Sequence, residues 1–406
     1  MSTEPAAGVA MEQVLKGLRV LDLTQNVAGP YCTQILGDMG AEIIKVERPG
    51  SGDDTRAWMP PAWGEQSPVY LAFNRNKKSI CIDLDAPEGQ EAVARLARSA
   101  DIVVHSMKPG SAESRGLGFE SLRQDNRKLV YCAISAFGQS GPMSGLPGYD
   151  PLMQAFTGVM SVTGNDGEAP VRVSVSLIDM GSGMWAAMGI LAALRELERT
   201  GEGSCVNTSL LETGIAWMSV FIANFRASGT LPRKLGSAMT MLAPYELFAA
   251  ADGWVFIAAG NDRLFTQVCK ALGIDHAASD PKFAKNADRV KHRVELHRII
   301  EDAMVQMPAA EAVRRLRACG APCSILNDVG QMLTDEQVVS AGIVQPLQVS
   351  EGDDHRVVGI PFTLNGRRKT EHVAPPTLGA HTHALLAEAG YDDAAIRRMI
   401  EHRFVG

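Results

Sequence analysis

Asp179 is the residue of this chain whose setting most invites chemistry. In Ser176–Leu194, SLIDMGSGMWAAMGILAAL, a strand-like run ends at Asp179, Gly181 and Gly183 follow, and an apolar helix begins. A carboxylate in that position faces unpaired N–H groups and the positive end of a helix dipole. The placement predicts an ionised side chain, favoured by about 0.3–1 kcal/mol. It suits a plain helix N-cap or a nucleophile, and spacing alone leaves both open. Gly181 to Ala186 also reads G-x-G-x-x-A. A dinucleotide site places that motif after the first strand of a βαβ unit, with an acid about 20 residues on. Here it follows several strand candidates and opens an unusually apolar helix, which argues against NAD or FAD.

Other signatures are missing from the sequence. It holds no G-x-x-x-x-G-K-[ST], no G-x-S-x-G and no HExxH. His381 and His383 lack a third ligand at suitable spacing, so no metal is expected. The seven cysteines include no CxxC, and even Cys319 and Cys323 read as reduced thiols. Basic residues gather in the first half: Lys45, Arg48, Arg56, Arg75, Lys77, Lys78, Lys108 and Arg115. Several follow strand candidates, where phosphates would sit; a solvated surface is the alternative.

The elements that must position these groups alternate between strand and helix. Strands are expected at Gly17–Thr24, Ala41–Glu47, Ser79–Leu84, Asp101–Ser106 and Leu129–Ser135. Helices are expected at Pro30–Met39, after Asp85 as N-cap, and from Met180 to Glu198. The glycine- and proline-rich Phe137–Asp150 reads as a loop. The pattern predicts a doubly wound, mainly parallel, Rossmann-like α/β domain over 1–225. A smaller α+β domain follows over 226–350, with a hairpin turned at Asp252-Gly253 and helices at Arg263–Leu272 and Asp302–Cys319. Residues 351–406 return to the large domain.

Composition sets the outer bounds. At about 150 residues per domain, 406 residues make two or three. Apolar residues are 46% and charged ones 21%, as in an ordinary globular enzyme. The net charge of −7 argues against a nucleic-acid partner, which needs a basic footprint. The start, MSTEPAAGVAMEQ, reads as a frayed tail rather than a secretory signal. The apolar run Gly183–Leu194 falls short of the roughly 20 residues that span a bilayer. A cytoplasmic protein with no membrane partner is expected.

Several segments in one order resemble the family III CoA-transferases, which include formyl-CoA transferase and carnitine CoA-transferase. They are LKGLRVLDLTQNVAGPYCTQILGDMGAEIIKVERPGSGD, FNRNKKSICIDLD, Lys108-Pro109-Gly110, ISAFGQSGP and PGYDPLMQA. The resemblance implies that Asp179 is the catalytic nucleophile. It implies CoA contacts at Val27, Ala28, Arg48, Ile82, Leu84, Asp85, Ser106, Met107, Lys108 and Arg115, and an acyl site lined by Tyr149 and Asp150. It implies an interlocked-ring homodimer that moves coenzyme A from an acyl-CoA, such as succinyl-CoA, to a carboxylic acid. Aspartyl anhydride and aspartyl-CoA thioester intermediates would carry the transfer, with no permanently bound cofactor. Lys108 stands where the family often has Arg in N-F-R-P-G, and Ser114 beside Arg115 where an Arg is usual. The α-methylacyl-CoA racemases, which share the fold, are the alternative; they carry a His where this chain has Tyr149.

Overall fold

The computed structural model describes residues 10–350 and 354–406. Six strands form the main sheet: β1 (Arg19–Leu23), β2 (Glu42–Glu47), β3 (Lys77–Cys81), β4 (Ile102–His105), β5 (Val130–Ser135) and β6 (Cys205–Ser209). Their order is β3-β2-β1-β4-β5-β6 and every pairing is parallel. The order reverses between β1 and β4, and such switch points open a crevice at the strands' C-terminal ends.

Both faces of this sheet are buried, which is why its strands read as apolar runs. Val20, Ile43, Val104 and Cys132 face one core, under the helices Ala28–Asp38 and Leu177–Thr200. Their neighbours Leu21, Ile44, Val103 and Tyr131 face the other. That second core is covered by the helix Pro87–Arg98 and by the C-terminal helices Thr382–Glu388 and Asp393–Glu401. Each fully buried aliphatic side chain contributes about 1.5–3 kcal/mol. The two helices of the first face meet at Gly183, where a Cβ would stand 2.5 Å from the Ala28 carbonyl oxygen.

The chain divides into two units. The first comprises residues up to 159, 172–223 and 340–406; the second comprises 160–171 and 224–339. One break falls at 223–224, beside the 225 boundary, while the other falls at 339–340 rather than 350 and residues 160–171 join the second unit. The Gly236 N–H bonds the Gly164 carbonyl, tying the 160s to the second unit. Val344–Pro346 pairs with Arg356–Val358, keeping 340–350 in the first. Within the second unit β7 (Tyr245–Ala250), β8 (Gly253–Ala258) and β9 (Cys323–Ile325) form an antiparallel sheet packed on helices. The hairpin turns where expected.

Other local expectations needed correction. Asp302–Cys319 is two helices, Arg293–Met304 and Ala309–Ala318, because Pro308 stops the first turn of the second from extending backwards. The tail reading falls partly on residues 1–9, outside the described residues; Met11–Gln13 forms a 3-10 turn with Met11 buried. Asp85 caps nothing: Ala86 occupies the N-cap. The apolar helix runs 24 residues, twice the predicted apolar run, and by length and composition could cross a bilayer. Its Ile178, Gly183, Ala186 and Ile190 are buried in the sheet's first core.

Candidate active site

Loops after β1, β2, β3, β4 and β5 converge at the switch point and enclose two adjoining cavities. The larger, about 630 Å³, is lined by Arg48, Ile82, Leu84, Asp85, Ser106, Met107 and Arg115 among others. The smaller, about 200 Å³, is lined by Val27, Ala28, Lys108, Tyr149 and Asp179. Gln25, Asn26, Ser106 and Met107 line both and form the waist between them.

Three arginines, Arg48, Arg115 and Arg403, line the larger cavity together with Glu47, Asp83 and Asp85. The Arg115 guanidinium donates to the Leu84 carbonyl at 3.2 Å, the Ser111 hydroxyl at 2.6 Å and the Asp85 carboxylate at 2.6 Å, so it joins two loops. Asp85, expected as a cap, is instead this ion pair's acid. Arg48 pairs with Asp54. Arg403 also lines the cavity, brought there by a bridge between Ile82 and Val405. It went unnoticed in the sequence, since nothing local marks a residue 320 positions from its strand.

Four of the eight basic residues serve the scaffold, neither surface nor phosphate site. Lys45 pairs with Asp53 at 2.8 Å, Lys77 with Asp22 at 3.1 Å, Arg75 with Asp38 at 2.6 Å and Arg56 with Glu47 at 2.8 Å, all with at least one partner buried. Burial brings Lys77 down to about 8 against the pull of Asp22. Such pairs are costly to break, since the survivor is left charged in the interior. Lys78 pairs with Glu42.

The β1 pair-partners set the waist. The Lys45 ammonium donates to the Thr24 carbonyl at 2.9 Å, and Asp53 accepts the Asn26 N–H at 3.2 Å. The Gln25 N–H reaches the Ser106 hydroxyl at 3.2 Å. Asn26 is thereby held at φ 67°, a left-handed conformation that asparagine tolerates. Its Oδ1 is enclosed and takes no hydrogen bond among the described residues.

Asp179 does not end a strand. It is the third residue of the helix Leu177–Thr200, and Ser176 at the N-cap makes no side-chain bond. The cap comes from elsewhere. Asp150, 2% exposed, accepts the Ile178 N–H at 2.7 Å and the Asp179 N–H at 3.2 Å. Gln154 donates to the same Asp150 carboxylate and also bonds the backbone of Val173. Asp150 is thus engaged as a cap and is not among the residues lining the smaller cavity, whereas the exposed Tyr149 is. The helix end does not by itself set the titration of Asp179. Burial, and then the Asp150 charge beside it, raise its pKa to about 7. No histidine lines either cavity among the described residues. The nearby His105 is buried, which lowers it to about 4. No cluster of potential metal ligands occurs among the described residues.

Fold and cleft together define a doubly wound α/β enzyme class: an arginine-bearing cavity at the switch point, joined through a narrow waist to a half-buried carboxylate. The profile of CoA-transferase family III matches residues 15–382, and the chain belongs to that family. It is a CoA-transferase, moving coenzyme A between an acyl-CoA and a carboxylic acid. It is 36% identical to mouse (Mus musculus) succinyl-CoA:glutarate CoA-transferase, over 95% of this chain and 89% of that one. It is 38% identical to succinate–glutarate CoA-transferase of Agrobacterium fabrum, over 92% and 95%. A CAIB/BAIF family protein from Brucella suis, known from a crystal structure, superposes with a TM-score of 0.82 at 34% identity, covering 92% of this chain and 99% of that one.

Proposed function

We propose that Asp179 is the nucleophile and that the donor and acceptor are small dicarboxylic species, with succinyl-CoA and a glutarate-like acid as the first pair to test. The supporting observation is that, among the described residues, Asp179 is the one carboxylate lining the smaller cavity, which adjoins through Gln25, Asn26, Ser106 and Met107 the cavity that holds Arg48, Arg115 and Arg403. On this reading Arg48, Arg115 and Arg403 meet the phosphates of coenzyme A, and the pantetheine arm crosses the waist.

The chemistry then follows in balanced steps. An Asp179 oxygen attacks the thioester carbonyl, the C–S bond breaks, and an aspartyl anhydride and CoA thiolate remain. The thiolate attacks the Asp179 carbonyl of that anhydride, releasing the donor acid as its carboxylate and leaving an aspartyl-CoA thioester. The acceptor carboxylate attacks that thioester, giving a second anhydride and thiolate. The thiolate then attacks the acceptor carbonyl, forming the new acyl-CoA and restoring the Asp179 carboxylate. Every step needs anions, so a carboxyl group titrating near neutrality makes its own ionisation the first requirement.

Peptide mass spectrometry after mixing with succinyl-CoA tests this. The expected result is a CoA adduct on Asp179, absent in Asp179→Asn together with turnover. Normal turnover by that variant would end the assignment. The homodimer belongs to the same proposal. Met184, Trp185 and Met188 of the long helix and nearby Trp217 expose apolar surface that a second copy would cover; light scattering in solution checks it.

A further inference from the structure

Among the described residues, four other than glycine take a positive φ. Three are asparagines, Asn26, Asn76 and Asn365, a residue type that tolerates the left-handed region. The fourth is Arg403, at φ 59°. It closes the helix Asp393–Glu401 in a tight reversal. Its own N–H reaches the Ile400 carbonyl at 2.9 Å, and the Phe404 N–H reaches the Met399 carbonyl at 2.9 Å. Glycine commonly holds the left-handed residue at a helix end, as Gly201 and Gly273 do elsewhere in this chain. The reversal is anchored beyond β3, where the Phe404 carbonyl accepts the Asp83 N–H at 2.8 Å and Val405 bridges Ile82.

A long side chain therefore stands where the backbone resists one, and no contact within the protein offsets the strain. Arg403 is exposed and makes no ion pair among the described residues, whereas Arg48 and Arg115 pair with Asp54 and Asp85. Of the three arginines lining the larger cavity, it is the one with no acid partner. Strain of this kind gathers at ligand-binding positions. The most concentrated charge that coenzyme A offers is its 3′-phosphate, a monoester carrying about −1.5 to −2 at neutral pH. A free guanidinium suits such a group through paired N–H bonds. We propose that Arg403 receives the 3′-phosphate and so distinguishes coenzyme A from dephospho-coenzyme A. This deepens the assignment of the larger cavity to coenzyme A and rests on it.

The test is calorimetric binding of coenzyme A and of dephospho-coenzyme A, with thermal melts of the free enzyme. Arg403→Gly is expected to weaken coenzyme A about tenfold, the worth of one charge-assisted contact, and to leave the dephospho form within about twofold. The same variant should melt higher than the wild type, because glycine takes φ 59° without a clash. Arg403→Asn, which tolerates that backbone without the charge or the added freedom of glycine, should reproduce the loss of coenzyme A affinity. A glycine variant that melts lower would make Arg403 a structural residue and overturn the proposal. An equal loss for both ligands would place Arg403 on the diphosphate instead, and a wild type indifferent to the 3′-phosphate would be as fatal. Unchanged coenzyme A affinity in Arg403→Gly, with Arg115→Ala weakened, would overturn the role of Arg403 alone. Unchanged affinity in both variants would end the assignment of the cavity, and the proposal with it.

Discussion

The carboxylate of Asp150 accepts the backbone N–H of Asp179 at 3.2 Å, so one buried acid caps the helix on which a second acid stands. The arrangement holds Asp179 in place and at the same time resists its ionisation, since two negative charges then share one helix end. Asp150→Asn keeps an acceptor and removes the charge. The acidic limb of the kcat/KM profile, expected near pH 7 in the wild type, should move to lower pH. The melting temperature should fall, consistent with about 1 kcal/mol for a weakened cap. A pH series of initial rates checks the first and thermal melts the second.

Stability should carry the same signature with the opposite sense. A carboxyl group whose pKa is raised on folding binds protons more tightly in the native state. It therefore lowers stability as the pH climbs from about 4 to about 7. Asp179→Asn removes that penalty. The variant and the wild type should melt together below about pH 4, and the inactive variant should melt higher at pH 8, as read by calorimetry.

Arg115→Ala should weaken coenzyme A binding about tenfold, the worth of a charge-assisted contact, and should free the Leu84–Asp85 loop it holds. Titration calorimetry with free coenzyme A gives the number. An unchanged affinity would remove the larger cavity from the binding site.

The waist offers a test of backbone shape. Asn26 sits at φ 67°, between the Asp53 carboxylate that accepts its N–H and the two cavities it lines. Asn26→Gly retains that conformation freely, whereas Asn26→Ala resists it by about 1–2 kcal/mol. The glycine variant should keep the KM for acyl-CoA close to the wild-type value. The alanine variant should raise it and melt earlier.

What could be read in the sequence was whatever depends on near neighbours. The alternating strands, the long helix with its Gly201 stop and the hairpin around Asp252 all rest on local pattern, and their boundaries came within a few residues. Asp179 was found through its glycines, yet placed at a strand end, because Ser-Val-Ser-Leu-Ile has strand-like texture. What turns it into helix is a cap arriving from Asp150, 29 residues earlier. Lys45 and Lys77 looked like phosphate ligands for the same reason. Their carboxylates, Asp53 and Asp22, meet them only in the folded sheet. The raised titration of Asp179 was likewise invisible, since burial is a property of the fold.

Arg403, held by the Ile82–Val405 bridge, closes a cavity whose other walls begin at Leu23. During synthesis the sheet's core strands emerge long before that last wall does. The larger cavity therefore cannot be completed until residues 403–405 have left the ribosome, long after the strands that form its other walls.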